Sequence, residues 1–314
     1  MNPTVARLVE QAERDPLPAA HTSLVWQQYG AEVVAKQEDG ALRLRPAGFA
    51  SLPRPTLRGR AVWAVERSLH ARATRSLESF PEVWRSAQRL ARDLRGGANF
   101  HVFKFACALA VLTDHWRRHG LSPKTFALIG DGEGFLGALI GRRHPEARLY
   151  YVDLPRQLVF QAATQERANP GRSLGVPARE GALQARCVFV PPGEIEAVRE
   201  TVDCAINIDS MQEMRPESIA AYFAFLRRRS APASRFYCVN RERKAWIVGE
   251  AAVFEAYPWQ AEDTVLLDGP YPYHRWFVDP ETRPNGPRAF GVRIPFVNAW
   301  SPVRHRLAQL ARIP

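Results

Sequence analysis

Residues 126–137 read Phe126-Ala127-Leu128-Ile129-Gly130-Asp131-Gly132-Glu133-Gly134-Phe135-Leu136-Gly137, and after an apolar stretch the chain continues Leu149-Tyr150-Tyr151-Val152-Asp153-Leu154. The order is a strand, a glycine turn, a helix and a second strand ending on an acid. Residues without side chains let the backbone turn tightly and let a ligand approach it. Asp153 stands at the spacing of a carboxylate that binds the two hydroxyls of a ribose. The unit predicts a pocket for a nucleoside-containing cofactor.

Gly132, Gly134 and Gly137 also satisfy the dinucleotide pattern G-x-G-x-x-G. Against a dinucleotide, Asp131 and Glu133 put negative side chains where a pyrophosphate would sit, although a helix N-terminus would otherwise favour an anion there. S-adenosylmethionine has no phosphate and carries a sulfonium and an ammonium group, so an acidic turn suits it better. The candidate cofactor residues are Gly130, Asp131, Gly132 and Gly134 in the turn, Asp153 and Leu154 at the second strand end, Val190 beside the adenine, and Asn207. A tight turn with solvated acids is the reading without a ligand.

The 314 residues are 46% hydrophobic and can bury a sizeable core. No apolar run approaches the ~20 residues of a membrane span. Early acids (Glu10, Glu13, Asp15) and the lack of an apolar leader core argue against export. Cys107, Cys187, Cys204 and Cys238 have no metal-ligand spacing, and no metal is assigned. They read as buried reduced thiols of a cytoplasmic protein. The net charge is +11, with lysine only at positions 36, 104, 124 and 244. That charge fits an anionic substrate such as a nucleotide sugar. Basic and aromatic residues do not interleave as nucleic-acid binding would need. Homo-oligomerisation stays open.

Along the chain, a short helix is expected at 4–14, followed by extended segments broken by Pro18, Pro46, Pro53 and Pro55. Ser79 and Glu82 have capping-box spacing ahead of a helix to Leu94. A second helix runs from about Asn99 to His119. From Thr125 strands and helices alternate, which predicts a parallel sheet. Its strands are expected around Leu128, at Leu149–Asp153, Arg186–Val190, Asp203–Ile208 and Arg235–Asn240. Late strands are expected at Thr264–Leu267, Trp276–Val278 and Ala289–Ile294. The layout predicts a Rossmann-like α/β domain over 121–314, with a mostly parallel seven-stranded sheet, and a mostly helical extension and cap over 1–120.

Beyond the fourth strand, Asn207-Ile208-Asp209-Ser210-Met211-Gln212-Glu213-Met214 concentrates hydrogen-bonding groups where a plain connection needs only a turn. The alternative is a helix cap by Asp209 or Ser210. After the fifth strand, Asn240, Arg241 and Lys244 reach the same rim, where guanidinium forks suit carboxylate or phosphate. Solvated charge is the plainer reading of that run.

The glycine turn, Val152 to Pro155, Asn207 to Met214 and Tyr237 to Lys244 together make residues 95–300 resemble the sugar O-methyltransferases of bacterial polysaccharide loci, within the class I S-adenosylmethionine-dependent superfamily. The resemblance implies attack of a sugar or nucleotide-sugar hydroxyl on the cofactor methyl. One departure is Leu128, where class I enzymes often carry an acid, and Asp131 is the substitute. Candidate general bases are Asp209, Glu213, His101 and His274, and candidate substrate contacts are Gln212, Asn240, Arg241, Lys244 and Tyr273. An NAD(P)-dependent oxidoreductase or epimerase shares the glycine pattern. A degenerate methyltransferase-fold binding subunit and a basic RNA methyltransferase also stand as alternatives.

Overall fold

The structure is a computed structural model that describes residues 2–14, 34–38, 41–45, 56–94, 96–177, 184–245, 251–273, 275–278 and 286–313. Pro18, Pro46, Pro53, Pro55 and His274 lie outside the described residues. The first part holds the helices α1 (Pro3–Arg14), α2 (Leu57–Thr74), α3 (Phe80–Asp93) and α4 (Phe100–Arg118), with an antiparallel hairpin of Val34–Glu38 and Ala41–Arg45 between α1 and α2. The alternating region follows as β1 (Thr125–Ile129), α5 (Phe135–Arg143), β2 (Arg148–Val152), α6 (Pro155–Ala168), β3 (Leu174–Gly175) and β4 (Cys187–Val190). It continues with β5 (Cys204–Ile208), α7 (Pro216–Arg228), β6 (Arg235–Arg241), β7 (Thr264–Pro270) and β8 (Val303–Gln309).

These strands form one sheet in the order β7-β8-β6-β5-β1-β2-β4-β3. Pairing is parallel from β3 through β6, and β8 then runs antiparallel to both β6 and β7. The chain leaves β1 towards β2 and β4, then returns to the other side of β1 for β5 and β6. The order therefore reverses between β1 and β5, which opens a crevice at their carboxyl ends. This is a Rossmann-like α/β fold, with the antiparallel closing pair that class I methyltransferases share.

Strand alternation sorts the core to both faces. Leu128, Tyr151, Phe189 and Ile206 point to the side of α3–α6, whereas Ile129, Val152, Val190 and Ala205 pack with Ile219, Phe223 and Leu226 of α7. The third glycine of the motif serves this packing. A Cβ on Gly137 would lie 2.1 Å from the Tyr151 hydroxyl and 2.5 Å from Leu128 Cδ1. Gly137→Ala should therefore destabilise by about 1–3 kcal/mol through overpacking. The check is the denaturation midpoint at an unchanged slope.

Several expectations are corrected. Neither Trp276–Val278 nor Ala289–Ile294 belongs to the main sheet. The first pairs with Val297–Ala299, and the second is a hairpin of Arg288–Ala289 with Val292–Arg293. The partner of β7 is instead β8, whose Arg304, His305 and Arg306 hide its strand character. Arg306 is buried and bonded to Asp268 and Glu255, and His305 Nδ1 meets the Tyr237 hydroxyl at 3.0 Å. An eighth strand, β3, is two residues long and adds to the seven expected. Ser79 does not cap α3 with its side chain: its hydroxyl donates to Ala110 O at 3.0 Å, and its amide to Asp114 Oδ1 at 2.9 Å. Helix α2 was hidden by its exposed arginines and alanines. Its buried His70 and Glu66 grip the free edge of Trp276–Val278, at Trp276 O (3.1 Å) and Val278 N (2.9 Å). All four cysteines are buried and unpaired.

Candidate active site

The glycine turn leaves β1 at the crevice. Gly130, Gly132 and Gly134 take φ of 72°, 57° and 85°, the left-handed region that side chains resist. Two of them also need the absence of a Cβ. One at Gly130 would meet Ser210 Oγ at 1.8 Å, and one at Gly134 would meet Gln161 Cα at 2.8 Å. Gly132 differs, because a Cβ there would meet nothing within 4 Å. The turn opens outward at that residue, where a ligand can approach the backbone.

Asp131 is buried beneath the turn and accepts from Leu136 N (3.2 Å) and Gly137 N (2.8 Å), so it caps α5. Asp153, half-buried at the end of β2, accepts from Leu154 N at 2.8 Å and from Gln161 Nε2 at 2.7 Å. The same Gln161 amide donates to Gly132 O at 3.1 Å and so couples the ribose candidate to the turn. Gln161 Oε1 is buried with no hydrogen-bond partner among the described residues. Leu154 and Val190 are both buried, the latter within the core on the α7 side.

Both acids are pushed up to about 7. Burial is the main cause for each. For Asp131 the Gly137 and Leu136 amides oppose it, Asp153 adds to the rise and Lys104 counters it. For Asp153 the Leu154 amide, Gln161 and the Gly132 amide oppose burial. A raised carboxyl binds its proton more tightly in the folded chain. The stability it lends is full below the unfolded value and is lost as pH rises through about 7. His70, His115, His144 and His305, held low by burial, act in the opposite sense, but only below their usual value of 6.5. Acting alone, the two acids would make the melting temperature of the ligand-free protein fall between about pH 4 and 7, and the four histidines offset that fall. Asp153→Asn should flatten that fall in thermal scans.

The loop after β5 carries the second half of the site. Asp209 has φ 58°, rare for a residue with a side chain and often found at functional positions. Its Oδ2 accepts from Lys104 Nζ at 2.7 Å, and both side chains are largely enclosed. Glu213 pairs with Lys244. Asn207, Gln212 and Asn240 turn inward and bond to one another's elements. Asn207 Nδ2 donates to Ile129 O (2.8 Å), Asn240 Nδ2 donates to Asn207 Oδ1 (2.8 Å), and Gln212 Oε1 accepts from Arg241 N (2.7 Å). These amides fasten β1, β5 and β6 below the crevice. Arg241 is half-buried at the end of β6.

His101 is half-buried at the start of α4, one turn before Lys104 on the same helical face. Tyr273 is buried against Tyr271, with ring centroids 5.1 Å apart, and so packs under α4. Among the described residues no cluster of three or more His, Cys, Asp or Glu could hold a metal ion. No described helix is long and apolar enough to cross a membrane.

Lys104 is the site residue that sequence reading passed over. Its signal was available: it is one of four lysines in an arginine-rich chain, and it interrupts the apolar run Val102–Leu112. Two of those four, Lys104 and Lys244, neutralise the acids of the loop after β5.

No family model matches the chain, and no curated protein matches it. Among solved structures, an inferred O-methyltransferase from Klebsiella pneumoniae is similar at 15% identity and TM-score 0.42, over 81% of this chain and 99% of that one. Magnesium protoporphyrin IX methyltransferase from Synechocystis, with bound S-adenosylhomocysteine, gives 12% identity and TM-score 0.40 over 75% and 95%. TehB from Haemophilus influenzae gives 11% and 0.41 over 64% and 62%. At such scores these likenesses carry no weight for the chemistry, which rests on the strand order and the crevice of this chain.

Proposed function

We propose that the chain is an S-adenosylmethionine-dependent O-methyltransferase acting on a hydroxyl of a sugar or nucleotide sugar in bacterial polysaccharide or glycoside biosynthesis. The observation that carries the reading is the set of acids around the glycine turn. Asp131, Asp153 and Asp209 gather at the carboxyl ends of β1, β2 and β5 (a place suited to a cationic nucleoside and hostile to a pyrophosphate). Bound there, the cofactor supplies an activated methyl group.

The residues have separate tasks. Asp153, backed by Gln161, would hold the ribose hydroxyls, and the open backbone at Gly132 would take the cofactor against it. Asp209 would take the proton of the acceptor hydroxyl as the hydroxyl oxygen bonds to the methyl carbon and the methyl–sulfur bond breaks, its electron pair passing to sulfur to leave S-adenosylhomocysteine. A positioned base adds about 10²–10⁴-fold, and alignment of the reactants up to ~7–11 kcal/mol. Glu213 and His101 stand on the same rim as further proton acceptors. Arg241 and Lys244 line the side from which an anionic nucleotide sugar would enter. In this reading residues 1–120 are an N-terminal extension and helical cap and residues 121–314 the catalytic domain, with α1 of the extension packed on the core side, where Thr4 Oγ1 donates to Leu174 O at 2.9 Å.

Titration calorimetry with S-adenosylmethionine, S-adenosylhomocysteine and NADH tests the pocket. Micromolar binding of the first two alone supports it, and binding of NADH alone would replace it with a dinucleotide site. Transfer of labelled methyl to a panel of nucleotide sugars then tests the acceptor class.

A further inference from the structure

Lys104 is out of place by the ordinary rules of helix burial. It lies in a helix buried over most of its length, is itself buried, and costs free energy there unless its charge is matched. Its match is Asp209, itself in a strained backbone conformation. A buried pair of this kind seldom adds stability over an apolar pair of similar volume. Its position, directly after the carboxyl end of β5, asks for a use.

Several contacts fix where the ammonium group sits. The hydroxyl of Tyr271 donates to the Lys104 carbonyl at 3.2 Å, which steadies that turn of α4. The next residue, Phe105, stacks on Phe135, the first residue of α5, with centroids 6.1 Å apart. Helix α4 is thereby locked over the glycine turn. Lys104 also acts on Asp131 through space, and Ser210, next to Asp209, covers Gly130. The Lys104–Asp209 pair thus lies against the stretch Gly130–Asp131, the part of the turn away from the ribose acid Asp153.

From this placement we infer that Lys104 binds the α-carboxylate at the amino-acid end of the cofactor, giving up Asp209 to do so. The inference rests on the methyltransferase reading and adds a specific ligand to it. The electrostatics require such a group. Asp131, Asp153 and Asp209 favour the sulfonium and ammonium of the cofactor, but they repel its carboxylate. A zwitterion enters this crevice only if a cation receives its negative end. In the ligand-free protein Lys104 and Asp209 satisfy each other. When the zwitterion binds, each of its charges meets one member of the pair or of the acids beside it. Asp209 would then have exchanged its contact with the Lys104 ammonium, which suits a proton acceptor.

The test is a binding cycle between protein and ligand, read by calorimetry without any acceptor. The probes are S-adenosylhomocysteine and its decarboxylated analogue, S-adenosyl-3-thiopropylamine, which keeps the amine and lacks the carboxylate. The wild type should prefer the first by about 10- to 100-fold, the scale of one hydrogen bond between charged groups. Lys104→Met should lose that preference and bind the decarboxylated probe at least as tightly, and Lys104→Arg should restore part of the preference. If Lys104→Met leaves Asp209 as an uncompensated buried charge and fails to fold, the doubly neutral Lys104→Met/Asp209→Asn removes that obstacle and should also lack the preference. Undiminished preference in either folded variant would overturn the assignment. A wild type that binds neither probe removes the methyltransferase reading itself, a failure distinct from binding both probes equally.

Discussion

Asp263→Ala is expected to lower the unfolding free energy by about 3–5 kcal/mol, the scale for breaking one partner out of a buried ion pair. Arg227 closes the last turn of α7, and its guanidinium grips Asp263 by both oxygens at 2.5 and 2.9 Å, with side chains 3% and 1% exposed. The fork also donates to Ala311 O at 3.1 Å and Pro258 O at 2.9 Å. Asp263 in turn accepts from the amides of Ala311 and Gln260. One pair therefore ties α7, the start of β7 and the C-terminal segment together. Burial pushes the Asp263 carboxyl up, but Arg227 and the two amides outweigh it and hold it low. Its stabilisation is accordingly present at neutral pH and is lost as pH falls through the folded value. With alanine at 263, a cation stays enclosed with only carbonyl partners. Arg227→Met/Asp263→Leu should recover most of the loss, since neither charge then remains buried. A single variant as stable as wild type in urea titration would mean that water reaches the guanidinium.

What could be read from the sequence depended on how far apart the interacting residues lie. The glycine turn and Asp153 fall within one strand–helix–strand unit, so spacing alone located the crevice. The parallel half of the sheet followed from alternation of apolar strands with helices. Strand β8 did not, because Arg304, His305 and Arg306 break its apolar pattern and find partners only in the folded sheet. The polar stretch Asn207–Glu213 stands out in the sequence, but its composition could not separate the amides that fasten strands from the acids that pair with Lys104 and Lys244. Asn207 and Asn240 meet across 33 residues of chain, and Lys104 and Asp209 across 105. No local pattern encodes such pairings. The clue that survives in one dimension is chemical oddity: a lysine in an apolar helix of an arginine-rich chain.

Asp153→Ala is expected to weaken binding of S-adenosylhomocysteine by about 10²–10⁴-fold. Two ribose hydroxyls would lose a charged acceptor, and each such hydrogen bond is worth about 1.5–3 kcal/mol. The usual objection is that a binding-site mutant has simply unfolded, and here the electrostatics answer it. The Asp153 carboxyl is pushed up to about 7, mainly by burial, so its ionised form above that pH weighs against the fold. Removing it should leave the ligand-free protein at least as stable at pH 8 as the wild type. Gln161 keeps its bond to Gly132 O, and Gly130 N still donates to Val152 O at 3.0 Å, so the turn retains its anchors. The same charge argument sets the pH dependence of the wild type. A cationic ligand favours ionised Asp131 and Asp153, so affinity should rise through pH 7 and binding should release protons, seen as a buffer-dependent heat. A folded Asp153→Ala that binds as tightly as wild type would show that the ribose lies elsewhere. In that case the acid at the end of β2 would serve only to hold Gln161 and the turn.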